Sequence, residues 1–288
     1  MNIGFMTNIL VSNGMKSLED IASWALLNNF QDIEVGPTIP LVQNVFENVI
    51  NNKINISSLT YCRNFLSSDI KESSTHIQGL KDRIEFASKL GIEKIVTSTG
   101  IDKRIEEGVY DSADSIRKRP EKSLDLFYEV FAPIVDFAEK KNVKLAFENC
   151  PLMGNIAISP YMWRLIFEKI KSDKVGLAYD PSHFIWQFID PIKPIIEFKD
   201  KIFHFHAKDT IIFDSILTDR GVFTDLEWWR YCIPGDGLLD WKLFIETIKD
   251  CGFDNTISIE HEDKNYEGSI ERVQEGILNG KRYFERFL

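Results

Sequence analysis

The stretch VGLAYDPSHF, residues 175–184, decides how the rest of the chain is read. Its first five residues have the apolar character of a strand buried on both faces, which is the signature of a parallel sheet. The run ends at Asp180-Pro181, and His183 follows three residues after the aspartate. Proline has no amide proton for a sheet ladder, so the strand stops there. A core strand therefore delivers an acid and an imidazole at its C-terminal end.

Similar runs recur on both sides: 3–7, 31–36, 54–62, 94–100, 143–149, 202–209 and 256–262. Amphipathic helical patterns separate them at 17–28, 38–52, 73–90, 121–141, 160–171, 191–199 and 240–251, and a last one spans 267–287. Glycines in 90-LGIEKIV-96 and 251-CGFDNTISI-259 mark places where a helix stops and a strand begins. Eight such alternations in 288 residues predict an α/β fold, a closed (β/α)8 TIM barrel forming a single domain over residues 1–288. No GxGxxG follows the first strand, which argues against a dinucleotide-binding sheet. Two connections exceed an ordinary strand-to-helix turn, 101–120 and 210–239. Both leave strand C-termini, the face where barrel enzymes carry their chemistry, so both are expected as loops at the active face.

Composition sets further bounds. The chain is 44% hydrophobic and 27% charged, without an apolar run long enough to span a bilayer. Its first residues lack the pattern of a secretory signal, so a cytoplasmic location is expected. The net charge of −10 argues against nucleic acid and anionic membranes as partners. Cys62, Cys150, Cys232 and Cys251 show no CxxC spacing and read as reduced thiols. A small-molecule partner is expected, and a homo-oligomer is left open.

Polar residues at strand ends carry the chemistry. Glu148 ends the fifth strand, Asp180 the sixth, His206 lies near the end of the seventh and Glu260 near the end of the eighth. Any one of them alone has an ordinary reading, a helix cap or a satisfied core histidine. On four consecutive strands of a barrel they converge on one sector. Three carboxylates and one imidazole cannot share a site without a counter-charge, because like charges a few ångströms apart force protonation. A divalent metal supplies it. Oxygen-rich ligation with one nitrogen suits Mn2+ first, with Mg2+, Co2+, Fe2+ and Zn2+ also compatible.

FENC with Glu148, YDPSH with Asp180 and His183, HFHAKD with His206, Lys208 and Asp209, RYCIPGDGLLDW, and IEHED with Glu260 stand in this order. Together they resemble the xylose-isomerase-like sugar phosphate isomerase/epimerase family, and Glu34 in DIEVG is a looser echo, expected as a substrate-binding residue. The resemblance implies a TIM barrel and a metal held by Glu148, Asp180, His206 and Glu260. It also implies ketone-centred sugar chemistry in which Glu148 and Glu260 face each other across the substrate as ligands and acid/base pair. His183 is then a group behind the ligands or a substrate contact. Family members often have an arginine two residues before the proline of the PG motif; here that position is Cys232, and Arg230 and Arg220 are the candidates to replace it. The pairing of WWRYCIPGDG with IEHED resembles members acting on oxidised sugars or cyclitols, including keto-glycoside epimerases or lyases and inosose dehydratases.

Such a site favours removing a proton next to a carbonyl. Return of the proton gives isomerisation or epimerisation, and loss of a β-substituent gives elimination. Lys208 is a substrate contact or a partner for Asp209. Trp228, Trp229 and Tyr231 either stack on a sugar or anchor the long seventh connection. Glu262 and Asp263 are expected to hold nearby side chains. His204, at i and i+2 with His206, is a second pocket residue or a core histidine. The rival readings are an endonuclease-IV-like hydrolase, which needs more histidines than the five present, and a non-catalytic barrel binding a sugar or a partner protein.

Overall fold

The computed structural model of the protein describes residues 1–102 and 122–288. In chain order the strands are β1 (Asn2–Met6), β2 (Asp32–Val35), β3 (Asn55–Tyr61), β4 (Lys94–Thr97), β5 (Lys144–Glu148), β6 (Val175–Tyr179), β7 (Ile202–Ala207), β8 (Asp209–Ile212), β9 (Trp229–Cys232) and β10 (Thr256–Ile259). Eight of them, all but β8 and β9, are the parallel strands of a closed (β/α)8 barrel. Each expected strand is present within a few residues of its predicted bounds. The connection expected at 101–120 lies outside the described residues except for Ile101 and Asp102.

Helices form where sequence chemistry closes their ends. Ile70–Leu90 starts at Asp69, whose carboxylate accepts from the Lys71 and Glu72 amides, and stops at Gly91, held at φ +70°. Such an N-cap contributes about 0.5–2 kcal/mol. Leu80, Ile84 and Ala87 recur on one face of this helix and are buried. Ser17, Ser159, Asp240 and Ser269 cap their helices in the same manner.

Chain contacts gather into two compact units. The first comprises Met1–Ser57, Asp180–Asp200 and His204–Leu288. In it β1 lies between β10 and β2, with Met6 level with Glu34, and β10 pairs with β7, Ser258 opposite His206. Phe5 packs edge-on against Phe30 at 4.8 Å and against Trp24 at 5.3 Å. The seventh connection is not a plain loop. β8 and β9 form an antiparallel pair in which Thr210 faces Tyr231 and Ile211 faces Arg230, and the helix Asp214–Arg220 lies between them in sequence. The second unit comprises Ser58–Tyr179 and Lys201–Phe203. There β3, β4, β5 and β6 pair in sequence, and Phe65, Phe127, Phe131 and Phe147 form a contiguous aromatic layer behind β5.

Candidate active site

In the first unit, polar side chains from β2 and β7 meet Asp180 and, just after β10, Glu260. Strand alternation points His204 and His206 to one side of β7, with Lys208 next in phase. His204 Nε2 lies 2.8 Å from Glu34 Oε2, and His206 Nε2 lies 3.2 Å from the same carboxylate. The other ring nitrogen of His206, Nδ1, lies 3.2 Å from Glu260 Oε2. Glu34, His204 and His206 are fully buried. Burial alone would raise the Glu34 carboxyl, but His206 and His204 outweigh it and hold the group well below the usual carboxylate range.

Asp180 is buried at the end of β6. One oxygen caps the turn by accepting from the Ser182 amide at 2.8 Å; the other, Oδ2, lies 3.1 Å from Lys208 Nζ and 3.3 Å from His183 Nε2. Here too burial opposes ionisation, and Lys208, His183 and His206 overcome it, so the carboxyl titrates below its ordinary value. Lys208 Nζ also lies 2.8 Å from Glu260 Oε2 and 3.2 Å from Glu262 Oε2. Its burial favours the neutral amine, yet Asp180, Glu260 and Glu262 raise its pKa well above the usual lysine value. Lys208 is thus paired with these acids and not with Asp209.

Asp209 does a different job. Its carboxylate accepts from the amides of Thr210, Gly235 and Leu239 and from the indole N–H of Trp241. The PGDG turn is closed onto the end of β7 by these bonds, and burial pushes the carboxyl above its ordinary pKa despite them. Asp263 accepts from the Ile233 amide at 3.2 Å and ties down the far end of β9.

The aromatic residues of the seventh connection divide by strand alternation. Tyr231 turns its hydroxyl onto His183 Nδ1 at 2.7 Å, and Trp229 stacks flat on Trp186 at 4.5 Å. Arg230, on the opposite face of β9, donates to Asn265 Oδ1 and lies over the Phe213 ring. Arg220 is exposed and paired with Asp225 and Glu227, away from these groups. Cys232 is fully buried. Burial and the neighbouring Asp209, Asp263 and Asp236 push its thiol well above the ordinary value. Arg230 therefore lies on the face of β9 opposite Tyr231.

In the second unit Glu148 ends β5 and is 3% exposed. Cys62 Sγ donates to its Oε2 at 3.4 Å. Asn155, which nothing in the sequence pattern singled out, fixes this strand end. Its amide nitrogen donates to the Glu148 and Cys150 carbonyls, and its amide oxygen accepts from Thr99 Oγ1 and from the Thr99 and Ala157 amides.

The donor set suits a divalent cation. Asp180, His206 and Glu260 each offer one ligand atom, and these atoms lie within 4.8 Å of one another. Ligands about 2.1 Å from one ion are at most about 4.2 Å apart, so small rotamer changes suffice. Glu34, His204 and His206 form a second such group sharing His206. A carboxylate behind a ligating imidazole fixes its tautomer and orientation, which is the relation of Glu34 to His206.

Residues 29–283 match the family described as xylose isomerase-like TIM barrel, and the chain belongs to it. Among individual relatives, an inosose dehydratase of Geobacillus thermodenitrificans (strain NG80-2) is 23% identical over 280 residues, covering 94% of this chain and 89% of that one. The uncharacterized protein YfiH of Bacillus subtilis (strain 168) is 27% identical over 202 residues, 62% of this chain, and the match spans 63% of that protein's length. Two solved structures share the fold: a D-tagatose 3-epimerase-like protein, TM-score 0.72, 22% identical, covering 100% and 97% of the two chains, and the IOLI protein with a zinc atom, TM-score 0.70, 20% identical, covering 100% and 99%. No helix among the described residues is long and apolar enough to cross a membrane.

Proposed function

We propose that the protein is a divalent-metal-dependent isomerase or epimerase that removes a proton next to the carbonyl of a keto-sugar, keto-glycoside or cyclitol. The observation that carries this reading is the buried meeting of Asp180, His206 and Glu260 with the ligand atoms of all three in one small volume. Glu148, buried at the end of β5, is proposed as the fourth ligand, and Glu148 and Glu260 as the acid/base pair. A cation held there, with Mn2+ the first choice for this donor set, would polarise the carbonyl oxygen of the substrate. Glu260 takes the proton from the adjacent carbon, and its return to the other face or to the neighbouring carbon gives the epimer or isomer. Glu34 orients His206 from behind. His183 and Trp229 line the substrate side, and Lys208 balances the acids until substrate arrives. Arg230 is left to the outer rim. A second outcome, elimination of a β-hydroxyl from the same intermediate, is supported by the inosose dehydratase relative.

Incubation with Mn2+ and a panel of keto-sugars, keto-glycosides and inososes in D2O, followed by proton NMR, tests the reading. Deuterium should enter the carbon next to the carbonyl of a true substrate. A metal-loaded protein that labels no member of the panel, beside an active control epimerase, would overturn it in favour of a hydrolytic or non-catalytic barrel.

A further inference from the structure

His183 is fully buried, with Nε2 facing Asp180 Oδ2 at 3.3 Å and Nδ1 facing the Tyr231 hydroxyl at 2.7 Å. Tyr231 is half-buried and is the least buried member of this three-residue chain. Trp229 packs against the Tyr231 ring at 4.8 Å and is itself stacked on Trp186, which holds the phenol in place. Lys208 Nζ lies 4.5 Å from the centre of the same ring, so a positive charge stands over the phenol ring. Anchoring the β8–β9 hairpin would require only the ring. A hydroxyl aligned on a buried imidazole, beside a cation, equips the residue to give up a proton.

We infer that Tyr231 is the acid of the elimination named above as the second outcome, protonating the departing hydroxyl of a β-hydroxy ketone. The inference rests on the proton-abstracting role proposed above. A hydroxyl leaves poorly unless protonated as it departs, and the carboxyls of the site are assigned above as ligands and as the pair that handles the C–H proton. Lys208 is turned to Asp180 at 3.1 Å and to Glu260 at 2.8 Å, so its N–H bonds are directed at those carboxylates. In the reaction, the C–H bond next to the carbonyl breaks, its proton goes to the carboxylate and its electron pair forms the new C=C bond. The C–O bond of the β-hydroxyl breaks with its electrons on oxygen, which takes the phenolic proton and leaves as water. The carboxylate then carries one proton more and Tyr231 one fewer, and transfer through solvent restores both without an oxidant or reductant.

The experiment compares Mn2+-loaded wild type with Tyr231→Phe on an inosose, following deuterium entry and enone formation together, with metal content and thermal melting checked in parallel. In the variant, the ratio of dehydrated product to total C–H cleavage should fall by about 10²–10⁴-fold, the span of general acid catalysis. An unchanged ratio overturns the role of Tyr231, and so does wild type that cleaves C–H without eliminating. Absence of C–H cleavage by wild type on every probe instead removes the reading beneath it, and this inference with it.

Discussion

Lys208 Nζ lies 2.8 Å from Glu260 Oε2 and, through the same ammonium, 3.1 Å from Asp180 Oδ2. One buried cation thus balances two acids placed as metal ligands. Removing one partner of a buried ion pair leaves an uncompensated charge and typically costs about 3–5 kcal/mol. In the presence of chelator, Lys208→Met should lower stability toward urea by an amount of that order, and added Mn2+ should restore part of it. Equal stability of the two proteins in chelator would show that the ammonium does not carry the balance.

Glu260→Gln keeps the side-chain shape and removes the basic oxygen. Deuterium exchange into substrate should drop by about two to four orders of magnitude. Metal content, measured first by elemental analysis, must stay near one ion per chain for the loss to be read as loss of the base.

Glu34 contributes by ionisation as well as by position. Burial would raise its pKa, but His206 and His204 hold it well below 4.5. A carboxyl depressed on folding stabilises the protein above its unfolded pKa, and that contribution is lost as pH falls through the folded value. The melting-temperature gap between wild type and Glu34→Gln should therefore be full near neutral pH and close as pH falls well below 4.5. Metal affinity in the variant, followed by titration with Mn2+, should weaken by about 10–100-fold, as is usual when the support of a ligating histidine is lost.

Asp209 and Gly237 hold the PGDG turn together. A Cβ on Gly237 would collide with the Asp209 carboxylate, since Asp209 Oδ1 lies at the place it must occupy. Asp209→Asn replaces an acceptor oxygen by a donor that faces backbone amides, and unsatisfied buried groups cost about 1–3 kcal/mol each. Both Asp209→Asn and Gly237→Ala should lower stability by roughly that amount and speed proteolysis within 221–227, as read by timed digestion. Gly221→Ala, where the added Cβ meets open space, serves as the comparison for steric effects, although its φ of +71° adds backbone strain.

The barrel was legible in the sequence because its strands are short apolar runs buried on both faces and closed by glycine, proline or a capping acid, all of which act locally. The strand-end rule placed Asp180, His206 and Glu260 in the same way, since in a parallel barrel the C-terminal strand ends share one face. Glu34 is expected from the sequence as a substrate-binding residue, and its meeting with His204 and His206 was not legible there because it joins residues 170 and 172 positions apart.

The tertiary structure alone decided what the seventh connection does. In sequence Arg230 and Tyr231 are neighbours, and the arginine looks the better substrate group. Pairing β9 with β8 fixes a two-residue alternation, which sends Tyr231 to His183 and turns Arg230 toward Asn265. That register depends on bonds reaching from Asp209 to residues 235, 239 and 241, and no local propensity encodes it. Composition and pattern thus determined the barrel and three of its acids and bases, while the partner of each buried charge was settled by long-range contacts that satisfy it.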